Sequence, residues 1–197
     1  MQPLLLASSS KYRHALLAKL GLPFTWAPPE VDESPMENES ADALVRRLAT
    51  AKTHALAAQH SDKLIIGSDQ VAVLEGRIIG KPHTRERAIT QLQSASGKSV
   101  IFKTGLCLLN AQTGRQQIVV EEFKVNFNTL SNAQIEHYLD YEEPFDCAGS
   151  FKCEGLGIAL FSRLEGKDPN SLVGLPLISL VAMLRNEGID PLLMAAH

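Results

Sequence analysis

Three basic side chains occupy places in the sequence where they could bind anionic oxygens. Arg13 follows LASSSKY, in which a strand, a loop and a helix N-terminus leave backbone N–H groups and the hydroxyls of Ser8–Ser10 as donors. Lys52 lies on an apolar stripe of a long predicted helix, and Lys81 lies in the loop GKP. Taken singly, each has a structural alternative. Arg13 and Lys52 could extend along apolar surface with their charges in water, and Lys81 could be an ordinary surface lysine.

Acidic side chains complement these cations. Glu30, Asp32 and Glu33 cluster in the loop EVDESPMENES, and Asp69 follows an apolar run that predicts a strand over residues 63–67. Mg²⁺ binds carboxylate oxygens together with substrate phosphates, and a carboxylate can also accept a proton from an attacking water. The structural alternatives are a solvated acidic loop and, at Asp69, an Asx-turn that closes the strand.

Considered together, these residues suit a polyphosphate and its metal ion. The cations would balance the phosphate charge, and the carboxylates would hold the ion. The chain has no G-x-x-x-x-G-K-[ST] motif, which excludes a P-loop nucleotide hydrolase. It has no G-x-G-x-x-G motif either, which argues against a dinucleotide-binding fold.

The elements that must position these residues alternate along the chain. We predict strands over residues 4–7, 24–27, 63–67, 99–109 and 116–127, a hairpin of 71–74 with 77–79, and helices over 11–20, 41–59 and 84–94. Ser131 begins a capping-box pattern for a further helix, and a last helix ends near Gly188. This order predicts an α/β protein with a mixed sheet.

Composition narrows the classes of protein. The 197 residues fit one domain, with room for two small lobes, and a 45% hydrophobic content is ample for a core. The net charge of −3 gives no basic field for nucleic acid. The three cysteines are odd in number and lack C-x-x-C spacing, which favours reduced thiols. The N-terminus has no signal peptide or membrane span, so we expect a soluble, cytoplasmic protein.

Several segments, read in order, resemble the Maf family of nucleotide pyrophosphatases. They are LLLASSSKYRHALLAKLG, PEVDES, LIIGSDQV, GKP, FKTGL, CAGSFKCEGLG and DPNSLVGLP, which together extend from Leu4 to about Gly188. The resemblance implies a single domain over residues 1–197 with an inosine-triphosphatase-like fold, in which helices flank a mixed, twisted sheet and a cleft separates two lobes. It also implies hydrolysis of a nucleoside triphosphate to a monophosphate and pyrophosphate with a divalent cation such as Mg²⁺, Mn²⁺ or Co²⁺.

The resemblance also assigns roles to single residues. It implies that Asp69 is the catalytic proton acceptor and that Glu33 and Asp69 are the metal ligands. The substrate-binding residues that it implies are Ser8, Arg13, Lys52 and Lys81.

Three further positions concern recognition of the nucleotide base. Tyr12, Gln70 and Glu154 resemble the branch that hydrolyses 7-methyl-GTP, whereas the branch that acts on dTTP and UTP differs at these positions. A ring such as that of Tyr12 attracts a cationic 7-methylguanine by about 0.5–2 kcal/mol, and Glu154 could accept two hydrogen bonds from guanine. A dTTP/UTP pyrophosphatase and a non-catalytic nucleotide-binding regulator of septum formation are the alternatives.

The expected partner is the nucleoside triphosphate substrate, with neither nucleic acid nor membrane. The sequence does not fix the oligomeric state, and a homodimer is compatible with it. We interpret Trp26, the only tryptophan, as a packing residue, and His14 as a solvent-exposed side chain.

Overall fold

Strands and helices alternate along the chain, as the sequence predicts. The structure, a computed structural model, describes residues 2–195. The strands are β1 (Leu4–Ala7), β2 (Phe24–Ala27), β3 (Leu64–Leu74), β4 (Arg77–Ile79), β5 (Ser99–Asn110), β6 (Gln116–Phe127) and β7 (Phe161–Gly166). The helices are α1 (Lys11–Ala18), α2 (Ala41–Ala57), α3 (Arg85–Ala95), α4 (Asn132–Glu142), α5 (Pro169–Val173), α6 (Leu177–Asn186) and α7 (Pro191–Met194).

The sheet has both parallel and antiparallel pairs, which confirms the predicted mixed α/β class. Its strand order is β2-β1-β3-β5-β6-β7, with β4 paired to β3. Strand β1 is parallel to β2 and β3, whereas β4 is antiparallel to β3 and β7 is antiparallel to β6. The predicted hairpin is therefore confirmed, with Leu74 opposite Arg77.

Strand β3 departs from the sequence prediction. We expected it to end at Gly67, with Asp69 just beyond it, but it runs without interruption from Leu64 to Leu74. The apolar residues after Gln70 extend it into the hairpin. The polar residues in its middle are tolerated because distant partners satisfy their side chains. Asp69 is thus a strand residue, and the Asx-turn alternative is wrong.

Helix boundaries follow the predicted caps. The side chains of Ser10, Ser40 and Thr84 each accept a hydrogen bond from a backbone N–H in the first turn of α1, α2 and α3. Ser131 and Gln134 form the complete capping box of α4. At the C-terminal end, α6 stops at Asn186 as expected, but the short helix α7 follows it, which the sequence analysis did not predict.

The chain folds into two compact units, each assembled from separate segments. The first comprises residues 1–69, 104–121 and 168–197, and the second comprises residues 70–103 and 122–167. In the first unit, alternate residues of β1 enter different clusters. Leu4 and Leu6 pack with residues of α1 and α6, whereas Leu5 packs with Leu56 of α2. Helices therefore cover both faces of this part of the sheet.

The second unit has an aromatic core. Phe102, Phe127, Phe151 and Phe161 meet edge to face, with ring centroids 4.7–5.8 Å apart. Within residues 2–195, no helix has the length and apolar character needed to cross a membrane.

Candidate active site

A buried lysine joins two carboxylates in the first unit. The Nζ atom of Lys52 lies 2.7 Å from Oδ1 of Asp69 and 2.7 Å from Oε1 of Glu33. Only 6% of the Lys52 side chain is exposed, against 10% for Asp69 and 59% for Glu33. Lys52 therefore does not extend to water along an apolar stripe, and the three residues form one charged cluster.

Strand alternation explains why Asp69 faces Lys52. Side chains at every second position of a strand share a face, so Ile65, Gly67 and Asp69 point the same way. Ile65 belongs to the cluster that packs against α2, and Lys52 is on α2.

Two glycines let α2 lie very close to the sheet. A Cβ added to Gly67 would be 2.3 Å from the carbonyl oxygen of Ala49, and one added to Gly105 would be 2.2 Å from that of Val45. Both contacts would be with helix backbone, which cannot rotate away. A glycine within a strand often marks such a close approach. Neither glycine was among the residues predicted for the site, although their place in apolar strand patterns is the signal that could have revealed them.

The acidic loop that carries Glu33 is fixed by a two-pronged ion pair. Arg47 of α2 donates from Nε and Nη2 to the two carboxylate oxygens of Glu39, at 2.7 and 2.8 Å, and Nη2 also donates to the carbonyl of Ser34 at 3.0 Å. Hydrogen bonds from Arg47 and from the Met36 N–H lower the pKa of Glu39 to about 2. The loop is therefore more than a solvated acidic segment.

The serine loop before α1 has the predicted capped geometry. Ser10 accepts from the N–H of Arg13 at 3.4 Å, and the hydroxyl of Ser8, which is buried, accepts from the N–H of Ser10 at 3.1 Å. Arg13 donates from Nε to the carbonyl of Gly174 at 2.8 Å. Burial of the guanidinium lowers the pKa of Arg13, and the negative charges of Asp69 and Glu33 partly offset this effect. Arg13 thus belongs to the same electrostatic environment as the cluster.

The segment 168–178 includes Gly174, whose contacts with Arg13 and Ser68 the sequence did not predict. Gly174 has a φ of 112°, which only glycine adopts readily, and its carbonyl also accepts from the hydroxyl of Ser68 at 2.9 Å. Ser68 lies 2.8 Å from the carbonyl of Gly105 as well. Asp168, which is buried, accepts from the N–H groups of Asn170 and Ile178 at 2.8 and 2.7 Å and so holds this segment in place.

Two predictions about aromatic side chains near the serine loop were wrong. His14 is partly buried, and its Nε2 lies 2.8 Å from the carbonyl of Ser8. Trp26 is 55% exposed rather than packed in a core, with its ring 4.9 Å from that of His14. Trp26 is exposed because β2 lies at the edge of the sheet. Tyr12 is partly exposed, and Nζ of Lys11 lies 5.2 Å from the centroid of its ring.

The other three predicted site residues belong to the second unit. Gln70 directly follows Asp69 in β3 and is partly exposed. Lys81 is exposed, on a loop whose Gly80 carbonyl accepts from the side chain of Gln91 at 3.1 Å. Glu154 is exposed, and one of its carboxylate oxygens lies 3.4 Å from Sγ of Cys153. Burial, followed by the charge of Glu154, raises the pKa of Cys153 to about 12.

The donor set suits a hard cation bound jointly by protein and substrate. Among residues 2–195, no three side chains of His, Cys, Asp or Glu gather as a metal cluster. Glu33 and Asp69 nevertheless converge on one point, since both lie 2.7 Å from Nζ of Lys52. Mg²⁺ typically takes one or two carboxylates and completes its coordination with water and substrate phosphates. These two residues fit that pattern.

Comparison with known proteins gives a consistent picture. Residues 3–187 match the family model described as Maf-like protein. A 7-methyl-GTP pyrophosphatase of Pseudomonas fluorescens is 60% identical over 190 residues, which cover 96% of this chain and 99% of that protein. Proteins of the same name are 60% identical in Alcanivorax borkumensis, over 95% of each chain, and 57% identical in Pseudomonas aeruginosa, over 96% of this chain and 99% of that one. The chain therefore belongs to the Maf family.

Proposed function

We propose that this protein is a nucleotide pyrophosphatase that hydrolyses 7-methyl-GTP to 7-methyl-GMP and pyrophosphate. The observation that carries the proposal is the 57–60% identity, over nearly the full chain, to proteins named for this activity. The charged cluster of Lys52, Asp69 and Glu33, next to a capped helix N-terminus with an arginine, is chemically suited to the reaction.

The chemical step needs a base and a fixed geometry. Asp69 would accept a proton from water as the water oxygen attacks the α-phosphorus, and the bond from that phosphorus to the bridging oxygen of pyrophosphate would break. The ion pair with Lys52 holds the Asp69 carboxylate on a rigid strand. Positioning of this kind is a large part of enzymatic rate enhancement.

The triphosphate would meet several preformed donors. Gly174 accepts from Nε of Arg13 and thereby orients the guanidinium, whose Nη groups would contact phosphate oxygens. The serine loop and the N-terminus of α1 would supply further donors. Lys81, which belongs to the second unit, would be a third cation for the phosphates. Together these groups would offset the negative charge that develops on the departing pyrophosphate.

A divalent cation fits the same site. Glu33 and Asp69 would hold it, and Lys52, which bonds to both, would have to yield part of its contact or share the carboxylates. When bound, the ion would supply Lewis-acid stabilisation of phosphate charge.

Recognition of the base would fall to Tyr12, Gln70 and Glu154. The ring of Tyr12 could stack on the cationic 7-methylguanine, and Glu154 could accept from its N–H groups. We expect Glu154 to contribute most because a carboxylate complements both the donors and the positive charge of the ring.

A substrate panel tests the proposal. The purified protein would be supplied with 7-methyl-GTP, GTP, dTTP and UTP in the presence of Mg²⁺, Mn²⁺ or Co²⁺, and pyrophosphate release would be measured. We expect 7-methyl-GTP to give the highest kcat/KM, and Asp69→Asn to fold normally but lose turnover. Faster hydrolysis of dTTP or UTP would place the chain in the other substrate branch. Binding without any pyrophosphate release would instead indicate a non-catalytic nucleotide sensor.

A further inference from the structure

The loop that carries Glu154 is tied to helix α4 on both sides of that residue. On one side, the N–H of Lys152 donates to the hydroxyl of Tyr138 at 3.0 Å. On the other, the N–H of Leu156 donates to Oε1 of Glu142 at 2.5 Å. The Lys152 ammonium also donates to the carbonyl of Glu142. Glu154 thus lies midway between two anchor points, each of which is held by a side chain of α4.

Two glycines bring the loop into direct contact with these anchors. A Cβ added to Gly155 would lie 2.2 Å from Oε1 of Glu142, and one added to Gly157 would lie 2.2 Å from the carbonyl of Lys152 and 3.1 Å from the Tyr138 hydroxyl. The loop backbone is therefore packed onto the anchors with no room for side chains between them. Both anchors are well shielded, because Tyr138 is 3% exposed and the Glu142 side chain is 14% exposed.

This arrangement answers a problem that an exposed recognition residue poses. Glu154 is exposed and stands on a loop between short 3-10 helices, Ala148–Ser150 and Leu156–Leu160. A carboxylate on an untethered loop would lose conformational entropy on meeting a base, and this loss would weaken discrimination. Anchors on a helix remove that cost before the substrate arrives.

We infer that Glu142 and Tyr138 are positioning residues that set base selectivity by holding Glu154 in place. The inference rests on the proposed function, in which Glu154 recognises the base. It assigns α4 a role in specificity, although neither anchor need touch the substrate. A loosened loop would impair recognition of guanine more than it would impair the phosphate chemistry. The ratio of activities on two bases is therefore the informative quantity.

The test compares 7-methyl-GTP with UTP, which carries the same ribose and triphosphate but a different base. Tyr138→Phe removes one anchor oxygen, and Glu142→Ala removes the other. Glu142→Gln keeps an oxygen that can accept from Leu156 and should recover most of the effect. Tyr141→Phe is the matched control, because Tyr141 is on the same helix but is 70% exposed. Circular dichroism and thermal unfolding would check the fold of each variant. If Glu142→Ala does not fold, the single variant Tyr138→Phe still tests the inference, with Glu142→Gln as the conservative variant at the other anchor.

We expect the kcat/KM ratio of 7-methyl-GTP to UTP to fall about tenfold in Tyr138→Phe and in Glu142→Ala. The ratio should change little in Glu142→Gln and not at all in Tyr141→Phe. A variant that merely contains less folded protein would lower both activities equally and leave the ratio unchanged. Such an unchanged ratio in both anchor variants overturns the inference.

A local readout that does not depend on activity accompanies the kinetics. Cys153 adjoins Glu154, so its alkylation by iodoacetamide, measured by peptide mass, reports on the loop. We expect alkylation at least severalfold faster in the anchor variants, with the buried Cys107 unchanged.

Glu154→Gln separates the positioning inference from base recognition by Glu154. If it alters the substrate ratio while the anchor variants do not, the positioning inference fails and base recognition by Glu154 stands. If Glu154→Gln leaves the ratio unchanged, base recognition by Glu154 and the positioning inference both fail. If the wild-type protein releases no pyrophosphate from either nucleotide, the proposed function itself is wrong.

Discussion

The close approach of α2 to the sheet gives the sharpest test of how the charged cluster is held. Gly105→Ala would place a Cβ 2.2 Å from the Val45 carbonyl oxygen and 2.6 Å from its carbon. These distances are about 1 Å short of ordinary contact between non-bonded atoms. The helix or the strand must therefore shift by about 1 Å, because neither contact can be relieved by a side-chain rotation.

The cost in stability follows from overpacking. Inserting a methyl group into a packed region typically costs about 1–3 kcal/mol. Replacing glycine also lowers the conformational entropy of the unfolded chain, which offsets about 0.4–1 kcal/mol of this cost. We expect a net loss of about 1–2 kcal/mol in the free energy of unfolding, which corresponds to a Tm lower by about 2–8 °C for a chain of this size.

The cost in activity follows from displacement of Lys52. A shift of α2 by about 1 Å moves Nζ relative to Asp69 and Glu33, which it now contacts at 2.7 Å. Misplacement of this size in a catalytic arrangement costs about 100-fold in rate, or about 2.7 kcal/mol of transition-state stabilisation. Pyrophosphate release from the favoured nucleotide measures this loss.

A matched substitution separates the effect of the contact from that of replacing glycine. A Cβ at Gly80 would meet no atom within 4 Å, so Gly80→Ala should show the effect of replacing glycine alone, a midpoint raised by about 1–4 °C and not lowered. If Gly105→Ala unfolds at the wild-type midpoint and retains wild-type kcat/KM, the argument that these glycines place Lys52 is refuted.

Three further predictions concern the side chains of Arg47, Lys81 and Ser68. Arg47→Met should destabilise the protein above about pH 5. In urea unfolding, the difference in stability from wild type should shrink as pH falls from 4.5 towards 2, because Glu39, with a pKa of about 2 in the folded protein, then loses the negative charge that pairs with Arg47. A difference that does not depend on pH would contradict this. Lys81→Gln should lower kcat/KM at least tenfold in the pyrophosphate assay with no change in Tm, since Lys81 is exposed, and unchanged kinetics would remove Lys81 from the site. Ser68→Ala should lower the free energy of unfolding by about 1–3 kcal/mol, because carbonyls of Gly105 and Gly174 lose a buried donor; a denaturant midpoint equal to that of wild type would show that these bonds add nothing.

Local patterns in the sequence predicted most elements well. Serine and threonine caps, the hairpin of β3 and β4 and the alternating apolar strands depend on neighbours within a few residues, so they can be read from a single chain. The end of β3 could not be read in this way. Polar residues normally end a buried strand, and only the distant partners of Ser68 and Asp69 allow the strand to continue.

The same difference between local patterns and long-range contacts applies to the candidate site. The types of Arg13, Lys52, Asp69 and Glu33 indicated a polyphosphate site, and the structure brings these four residues together within the first unit. Their precise roles stay predictions, as do those of Ser8 and Lys81. The positions that hold them, such as Gly105 and Gly174, act through backbone atoms and long-range contacts. Such contacts leave little trace in the local sequence.

The segmented construction of the first unit has a consequence for how the protein is made. The Gly174 carbonyl that orients Arg13 lies 161 residues further along the chain. During synthesis, the serine loop and α1 leave the ribosome long before Gly174 has been added. The chain must also contribute two segments to the second unit before the last segment of the first unit is made. A growing or prematurely ended chain therefore contains Asp69, Lys52 and Arg13 without the contact that seats the arginine. We expect Arg13 to take its place in the charged environment of Asp69 and Glu33 only after Gly174 has been synthesised, so the complete site forms near the end of synthesis.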